Sequence, residues 1–409
     1  MIIKKWFIAF AMLIISTIGF AQAKTKVGDV VSVNYFNTPL QFHLPVTNDM
    51  VTYADFSPSS IKIYYSKINR SGYKTILSQL LSYKDRFDLN DYFFYKLVNA
   101  TDRSLFRDNN LATFYDWFFM MKSGYDVRLL FTRGNHLLLS AATDIRPENI
   151  SYYNYDGKCY TVLNVIGDSY NYPFVSSFPD KMAVMGTTLF SFQLYGEPKL
   201  PLGDSIKRTV RFNHKGKDYT YTYYLSKNIL DAFSEYPSVD EGFNCNADAS
   251  EITYRTLILQ LKRDMKNMDT VEGLSFLLSF VRTSTHYERD LQQFGKVKWM
   301  VPEEALYYNS NDCADRAPLM IYLVKTMYNL PVILLNYPNH LSMAVALDHA
   351  PSHMATPIVY DYKKYYMCEA TELTDLLGVG EIPKQLRNQP FHVVCSYEGT
   401  AKKQTTLNN

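Results

Sequence analysis

Apolar residues follow two different periods along the first part of the chain. Residues 24 to about 70 contain short alternating runs, such as 30–35 and 61–65, between proline and serine turns, and this pattern predicts strands. Apolar positions near a helical spacing then predict helices around residues 76–83 and over residues 112–122. Further strand-like runs follow at residues 127–131, 137–141 and 159–165.

The second part of the chain changes character twice. From residue 170 to about 240, alternating runs around a turn at Gly216 predict a β-rich spacer, with strands at residues 185–194, 209–212 and 219–225. From about residue 250 the helical spacing returns, with one helix around residues 258–265 and another over residues 271–281. No long run of Pro, Gly or Ser separates these segments, so we expect domains that pack against one another.

Charge and the N-terminal residues bear on partners and location. The chain has 409 residues with 42 Lys and Arg against 40 Asp and Glu, a net charge of +2, so it lacks the basic excess typical of nucleic-acid binding. Lys4 and Lys5 precede an apolar run over residues 6–20 and then Ala21-Gln22-Ala23, the order of a secretory signal. We expect cleavage after Ala23, a periplasmic or secreted protein, and no integral membrane segment after cleavage. Retention of the apolar run as an anchor is the alternative.

Five cysteines are too few and too scattered for a disulfide scaffold. In an exported protein an odd number leaves at least one thiol free if the others pair within the chain. Cys313 is the candidate for that free thiol.

Cys313 lies in the setting of a catalytic nucleophile. Asn311 and Asp312 before it are good N-cap residues, and an apolar stripe after it predicts a helix, so the sulfur would sit in the first turn. A helix N-terminus and a neighbouring imidazole both favour the reactive thiolate. Pro318 conflicts with this helix start. Either it kinks the helix, or the helix begins near Asp315 and Cys313 lies in the preceding turn.

A histidine and a glutamate at strand ends supply two further groups. His340 follows a Pro-Asn turn and opens the apolar run 341–347, which predicts a buried strand. Glu369 ends the aromatic strand at residues 365–368, where its carboxylate can accept the ring N–H of His340 and stabilise the imidazolium. Each residue alone is more typical of a core or a solvated surface, but the ordered set predicts a triad with Cys313.

The oxyanion hole and the acid leave alternatives open. The backbone N–H of Cys313 is the natural oxyanion donor, and Gln292, Gln293 or Trp299 could supply a side-chain partner. Asp361, in a turn-like segment, is the fallback for the acid.

Other polar residues near the triad predict no cofactor. We interpret Asp315 and Arg316 as a local ion pair at the helix start. His349 and His353 lie four residues apart, but Pro351 between them favours a loop over a metal site. Phosphate loops and dinucleotide motifs are absent from the sequence, so we expect neither metal nor cofactor.

A weaker copy of the same pattern precedes the triad. Asp108-Asn109-Asn110-Leu111 stands where the second copy has Ser310-Asn311-Asp312-Cys313, and Asn135-His136-Leu137 echoes Asn339-His340-Leu341. Residues 77–83 also resemble residues 274–280. In this alignment Leu111 replaces the nucleophile and Asn164 replaces the acid, which predicts a degenerate duplicate. Chance resemblance between two similar α/β segments is the alternative.

A set of short motifs occurs together between residues 271 and 382. They are His286-Tyr287 with Asp290, Phe294-Gly295, the 299–304 stretch, Asp312-Cys313-Ala314-Asp315-Arg316-Ala317, Tyr337-Pro338-Asn339-His340, Cys368-Glu369-Ala370-Thr371, and a Gly-x-Gly-x-Ile-Pro sequence ending at Pro383. This set resembles the transglutaminase-like superfamily, specifically its bacterial cysteine peptidase branch. The resemblance implies that Cys313 is the nucleophile, His340 the general base and then acid, and Glu369 the orienting acid. The family usually has Asp-Pro-Thr where this chain has Glu-Ala-Thr.

The fold class that follows is α+β, with a papain/transglutaminase-like C-terminal domain of helices packed on an antiparallel sheet. The expected divisions are a signal peptide (1–23), an N-terminal β segment (24–70), a degenerate transglutaminase-like repeat (71–169), a β-rich spacer (170–249), a catalytic domain (250–398) and a tail (399–409).

The expected function is that of an exported cysteine hydrolase that cleaves amide bonds of a protein or peptide substrate through an acyl-thioenzyme. Water as acceptor makes it a peptidase or amidase, and an amine makes it a transferase. The alternative is a catalytically weak or inactive binding or assembly module of the envelope.

Overall fold

The structure is a computed structural model that describes residues 30–45, 56–134, 136–148, 150–165, 174–178, 186–239, 242–348, 356–371 and 377–399. Helices and mainly antiparallel sheets make up these residues, as the α+β prediction requires. The predicted signal peptide, His349, His353 and the tail beyond residue 399 lie outside the described residues. None of the described helices is long and apolar enough to cross a membrane.

In the described residues 30–45 and 56–122, a hairpin and four helices form the N-terminal part. The strands are β1 (Val30–Tyr35) and β2 (Thr38–His43), and the helices are α1 (Pro58–Ile68), α2 (Tyr73–Arg86), α3 (Asp91–Leu105) and α4 (Asn109–Lys122). Helix α4 is buried on almost every side, so its sequence has little amphipathic pattern.

Residues 61–65, predicted as a strand, lie in α1, so that prediction is wrong. The Ser57 hydroxyl caps the first turn and Pro58 opens the helix, both of which favour a helix start. Tyr65 then packs against Trp117 of α4 with ring centroids 6.0 Å apart. An alternation over five residues is too short to outweigh a capped helix start with a packed face.

The predicted strands at 127–131, 137–141 and 159–165 are confirmed as members of one five-stranded antiparallel sheet. Its strands, in the spatial order β5-β6-β4-β3-β7, are β3 (Val127–Thr132), β4 (Leu137–Ala142), β5 (Tyr152–Tyr155), β6 (Lys158–Val162) and β7 (Phe174–Phe178).

The predicted spacer over residues 170–249 is not a separate unit. β7 pairs with β3 and completes the first sheet. Phe190 and Phe192 belong to the first hydrophobic core, which is the one that contains the buried residues of α3 and α4. The predicted strand at 185–194 is reduced, in its described part, to single bridges at Thr188 and Phe190. The boundary fails because hydrogen bonding between distant segments, which local patterns do not record, decides sheet membership.

The rest of that segment joins a second hydrophobic core, which contains Phe212, Phe276 and Phe280. β8 (Ser205–His214) and β9 (Lys217–Ser226) form a hairpin that includes the predicted strands at 209–212 and 219–225, and α5 (Lys227–Ser234) follows. Phe212 packs edge-on against Phe276 and Phe280, with ring centroids 5.2 and 5.5 Å away.

The C-terminal part places helices against a second five-stranded sheet. A short helix α6 (Glu251–Thr253), a π-helical turn (Tyr254–Ile258) and α7 (Leu259–Asp264) lead to the remaining helices and to two short strands, which are α8 (Thr270–Thr283), β10 (His286–Tyr287), α9 (Asp290–Gln293), α10 (Pro302–Tyr307), β11 (Ser310–Asn311) and α11 (Cys313–Tyr328). The sheet, in the order β14-β15-β13-β12-β16, contains β12 (Val332–Tyr337), β13 (His340–Ala346), β14 (Ile358–Tyr360), β15 (Lys363–Met367) and β16 (His392–Tyr397).

The two five-stranded sheets have the same strand order. If β3 to β7 are matched in sequence with β12 to β16, the order β5-β6-β4-β3-β7 becomes β14-β15-β13-β12-β16. In each copy a long helix, α4 or α11, directly precedes the first matched strand. This agreement is what an internal duplication requires.

Strand register matches His136 with His340 and Asn164 with Glu369, as the sequence alignment does. His136 and His340 each lie opposite the last residue of the preceding strand. After β6, Leu163 donates to the Leu139 carbonyl at 2.8 Å, and after β15, Cys368 donates to the Met343 carbonyl at 2.8 Å. Asn164, the residue after Leu163, therefore occupies the position of Glu369.

Leu111 is not the counterpart of Cys313. Helix α4 begins directly after its N-cap Asp108, and α11 begins directly after Asp312, so Asn109 and Cys313 share the first helical position. Leu111 lies two residues further on and is buried in the core. The sequence alignment matched the segments two residues out of helical register, because it relied on residue spacing without the cap positions.

The helices beside α4 and α11 do not match as predicted, because residues 77–83 are not the counterpart of residues 274–280. Helix α3 lies along α4, where Asn99 donates to Asp116 at 2.8 Å, and α8 lies along α11, where Gly273 leaves room for the Tyr328 hydroxyl. Helix α2, which carries residues 77–83, buries only Ile76 and Leu80. Similar leucine patterns in α2 and α8 therefore serve different packing.

Two hydrophobic cores meet at Trp299, whose ring packs against both. A disulfide between Cys245 and Cys395 joins the segment before α6 to the edge strand β16. Cys159, Cys313 and Cys368 are free thiols, which is consistent with the prediction that Cys313 is unpaired.

Candidate active site

Cys313 is the first residue of α11. The Asp312 carboxylate accepts the Ala314 N–H at 2.8 Å, and Asp315 accepts the Asp312 N–H at 3.0 Å, so the two acids form a reciprocal cap. The alternative start near Asp315 is wrong. Pro318 lies inside the helix, past the first turn, and the helix continues to Tyr328 around it.

His340 and Glu369 meet next to Cys313. His340 is the first residue of β13, directly after Asn339, whose left-handed conformation (φ 61°) makes the tight turn from β12. The His340 Nε2 lies 2.9 Å from the Glu369 Oε2. The imidazole also hydrogen-bonds Cys313, and since Nε2 is engaged, Nδ1 is the nitrogen for the sulfur. The structure thus brings all three predicted site residues together.

The charges within this group favour an imidazolium. Burial alone would lower the pKa of His340, but hydrogen bonds to Cys313 and Glu369 and the charge of Glu369 outweigh it and raise the pKa from 6.5 to about 10. Burial likewise raises the pKa of Glu369, yet His340 and Thr371 outweigh it, so that the pKa falls below its ordinary value. A protonated imidazole beside a sulfur stabilises the thiolate form.

Glu369 is held through both its side chain and its backbone carbonyl. Its Oε1 accepts the Thr371 N–H at 2.8 Å and the Thr371 hydroxyl at 2.5 Å. Its backbone carbonyl accepts Nε and Nη2 of Arg282, with Nε at 2.9 Å, and Arg282 Nη1 donates to the Leu377 carbonyl at 2.8 Å. The carboxylate is only 1% exposed, so its orientation is set by these bonds rather than by solvent.

Sequence reasoning missed Arg282. A cation at the end of the apolar helix α8 resembles an ordinary helix-terminal charge that complements the dipole. Its burial, with 6% of the residue exposed, is the feature that distinguishes it, and no local pattern reveals that value. Similarly, Asp361, the fallback acid, lies in the exposed turn between β14 and β15, where it cannot replace Glu369.

The predicted ion pair between Asp315 and Arg316 is wrong. Asp315 accepts backbone N–H groups from Asp312 and Met300, whereas Arg316 donates to the Thr285 carbonyl at 2.8 Å. Successive residues of a helix point about 100° apart, so neighbours in sequence rarely face one another.

Tyr287 is a further neighbour of Cys313. Its hydroxyl hydrogen-bonds Cys313, and the Arg316 guanidinium lies 5.4 Å from its ring centroid. Burial, together with the charges of Cys313 and Asp312, raises the pKa of Tyr287 to about 12. The residue belongs to the motif set noted in the sequence, but its contact with the sulfur depends on the parallel pairing of β10 with β11.

Three carboxylates lie close together at the start of the helix that Cys313 opens. Oxygen atoms of Asp290, Asp312 and Asp315 approach within 4.8 Å of one another, and Asp312 accepts the Asp290 N–H. This set has the chemistry to hold a divalent cation. Protons shared between these acids also explain why the carboxylates lie so close together. Burial is the largest cause, and the neighbouring acids are the second, of a pKa of Asp315 that is well above its ordinary value. Burial is likewise the main cause that raises the pKa of Asp290 to about 6.

Two N–H groups are available for an oxyanion. The Cys313 N–H occupies a helix position without an intrahelical partner, and the indole N–H of Trp299 is buried with no acceptor among the described residues. Of the predicted side-chain donors, Gln292 is exposed and Gln293 is half-buried. Trp299 is half-buried as well, but its indole N–H is buried and has no acceptor among the described residues, so we favour it among the three.

The pair of His340 and Glu369 should lose its stabilising effect at high pH. Because folding raises the pKa of His340 from 6.5 to about 10, its contribution is complete below about pH 6.5 and is lost as pH rises through about 10. Glu369, whose pKa is lowered, contributes above about pH 4.5 and loses that contribution as pH falls. We expect the melting-temperature gap between wild type and His340→Gln to be widest between these limits and to narrow towards pH 10. The exposed-site control His392→Gln should show no such narrowing, and a constant gap for His340→Gln up to about pH 11 would contradict the assignment.

The site is defined by its own charges, hydrogen bonds and burial. Comparison with known proteins adds no identity, since no protein-family model, curated protein or solved structure matches this chain.

Proposed function

We propose that the chain is an exported, transglutaminase-like cysteine hydrolase that cleaves amide or peptide bonds of a protein or peptide substrate. The observation that carries the proposal is the continuous set of contacts from the Cys313 thiol through His340 to Glu369 at the start of a capped helix. Nucleophile, base and orienting acid in mutual contact are the requirements for acyl transfer. The motif set and the helix-before-sheet arrangement support a papain/transglutaminase-like fold for residues 250–398.

The reaction follows from which atom carries the proton. The Cys313 thiolate attacks the substrate carbonyl carbon, a C–S bond forms, and the oxyanion is met by N–H donors such as that of Cys313. His340 gives its Nδ1 proton to the leaving nitrogen as the C–N bond breaks, which releases the amine and leaves a thioester. Water then attacks, His340 takes its proton, and the C–S bond breaks to give a carboxylic acid and the original thiolate. An amine in place of water yields a transferred amide.

The decisive measurement is the alkylation of Cys313 by iodoacetamide at neutral pH, followed peptide by peptide with mass spectrometry. We expect His340→Ala to slow the reaction roughly a hundredfold, because the imidazolium that stabilises the thiolate is lost. Cys368 provides a slow internal reference, since burial raises the pKa of its thiol to about 12. Equal rates in wild type and His340→Ala would remove the basis of the proposal.

That outcome would favour the alternative of a weak or inactive envelope module. One feature supports this second function: the first copy of the fold carries Asn109 and Asn164 in place of the nucleophile and the acid, so the chain already contains one copy kept without this chemistry.

A further inference from the structure

A cavity of about 770 Å³ lies at the first copy's counterpart of the active site. Asn164 lines it from the position equivalent to Glu369. Arg103, also in the lining, donates to the Oδ1 of Asn109 at 2.6 Å, and Asn109 occupies the helix position equivalent to Cys313. Its volume falls in the range of ligand-binding clefts. The degenerate copy has therefore retained a cleft at the place where the second copy carries its triad.

The residues that replace the triad are locked into a hydrogen-bond network without a nucleophile. Arg103 Nη2 donates to the Thr113 hydroxyl at 3.4 Å, and Asn164 Nδ2 donates to the same oxygen at 3.5 Å. Asn164 also accepts the Leu139 N–H at 2.9 Å and donates to the Leu137 carbonyl at 3.2 Å. An amide in these contacts cannot accept a proton from a histidine, so the cleft can bind but has no means of acyl transfer.

The charges around this cleft favour an anionic ligand. Its lining contains the cations Lys96, Arg103, Lys296 and Lys298 against the acids Glu148 and Glu235. Lys96 pairs with Glu235, and Lys298 pairs with Glu304 at 2.6 Å. Within the described part of the chain Arg103 and Lys296 form no ion pair, although the charges of the buried Asp102 and Asp116 act on Arg103 through space. A guanidinium and an ammonium both bind a carboxylate directly.

The neutral lining offers the complementary contacts that a polypeptide needs. Asn99 donates its amide to Asp116 and keeps its Oδ1 without a partner among the described residues, so it can accept a peptide N–H. Tyr236, Phe294 and Tyr308 add aromatic surface. Flat rings beside isolated donors and acceptors suit an extended peptide with its side chains.

One wall of the cleft is continuous with the nucleophile's surroundings. Lys298, in the lining, donates its backbone N–H to Asp290 at 2.8 Å, and Asp290 donates its own to Asp312, the N-cap of the catalytic helix. A chain bound in the cleft therefore contacts the same loop that backs the active site.

We propose that the cleft of the degenerate copy binds a carboxylate-bearing polypeptide segment, which serves as a recognition site for substrate away from the bond that is cut. That the bound segment is a substrate rests on the proposed hydrolase function, but binding at this cleft does not. The carboxylate can belong to a Glu or Asp side chain or to a chain terminus, and both sources share the same chemistry.

The test is direct binding to the full chain carrying Cys313→Ala, so that no probe is cleaved. The probes are fluorescein-labelled ten-residue peptides of Gly, Tyr and Glu, compared with versions in which Glu is replaced by Gln or the C-terminus is amidated. We expect saturable binding that weakens roughly tenfold in Lys296→Gln and in Arg103→Gln, while the exposed-site control Lys266→Gln binds as the parent does. Lys296 is exposed and unpaired among the described residues, so its variant should fold even if that of Arg103 does not.

The outcomes separate the two ideas. Loss of binding on Glu→Gln or on amidation identifies which carboxylate is recognised, and either result supports the site. Equal affinity in Lys296→Gln and the parent, or tighter binding of tri-galacturonate than of any peptide, would overturn it. Binding by the cleft together with unchanged Cys313 alkylation in His340→Ala would instead reject the hydrolase and leave the binding site in place.

Discussion

Glu369→Gln should lower turnover by about 10³- to 10⁴-fold while leaving the fold intact. Glutamine has the same shape, so the contacts of Thr371 with the side chain and of Arg282 with the backbone can persist. Its amide can, however, offer an N–H to His340 Nε2, which places the ring proton on Nδ1 in the neutral imidazole. A ring protonated there cannot take a proton from Cys313 or from water, and without the carboxylate the pKa of His340 falls from about 10.

Two further variants make this prediction specific. Glu369→Asp keeps the charge but withdraws the carboxylate by about a bond length, so we expect activity between those of wild type and Glu369→Gln. Glu381→Gln serves as the matched control, because Glu381 also accepts a loop N–H, that of Gly378 at 2.8 Å, but is exposed and makes no bond to His340. Turnover of Glu369→Gln within tenfold of wild type would show that the carboxylate does not orient the base.

Arg282→Met should lower the free energy of unfolding by about 3 kcal/mol, measured by denaturant titration. The guanidinium is buried and holds the carbonyls of Glu369 and Leu377, so its loss leaves the buried Glu369 carbonyl and the half-buried Leu377 carbonyl without these donors. Since the first of these carbonyls belongs to Glu369, we expect kcat to fall as well.

The lysine variant and a second arginine provide the comparison. Arg282→Lys keeps the charge but can reach only one of the two carbonyls well, so we expect partial recovery of stability and kcat. Arg387→Met removes an exposed arginine that donates to the Ile382 carbonyl at 3.2 Å, and we expect a change within about 0.5 kcal/mol. If Arg282→Met cost no more than Arg387→Met, Arg282 would not position Glu369.

The triad could be predicted from sequence because each of its parts has a local signal. Asp312 caps a helix, His340 follows a Pro-Asn turn, and Glu369 ends an aromatic strand, and all three signals depend on neighbouring residues only. Strand-like patterns also located β3, β4, β6, β13 and β15, which are five of the ten strands in the two five-stranded sheets. These features follow from short-range backbone preferences, which a single sequence records directly.

Features that depend on distant contacts could not be predicted in the same way. Sheet membership of β7, the burial of Arg282 and the contact of Tyr287 with Cys313 each join segments far apart in the chain. Residues 61–65 show the opposite case, because a short alternation predicted a strand, whereas a helix cap and packing against α4 favour the observed helix. The acid cluster went unnoticed because Asp290 approaches Asp312 and Asp315 only in the folded chain.

The identical strand order of the two sheets gives this protein its own internal control. Both copies place a capped helix before the sheet and a histidine at the start of its second strand, so neither feature alone marks chemistry. The copies differ at the first helical residue, which is Asn109 or Cys313, and at the second residue after the fourth matched strand, which is Asn164 or Glu369. His136, without those partners, is exposed, whereas the imidazole of His340 is largely enclosed. Within one chain, enclosure of the histidine accompanies the sulfur and the acid, so it follows those two side chains rather than the architecture that both copies share.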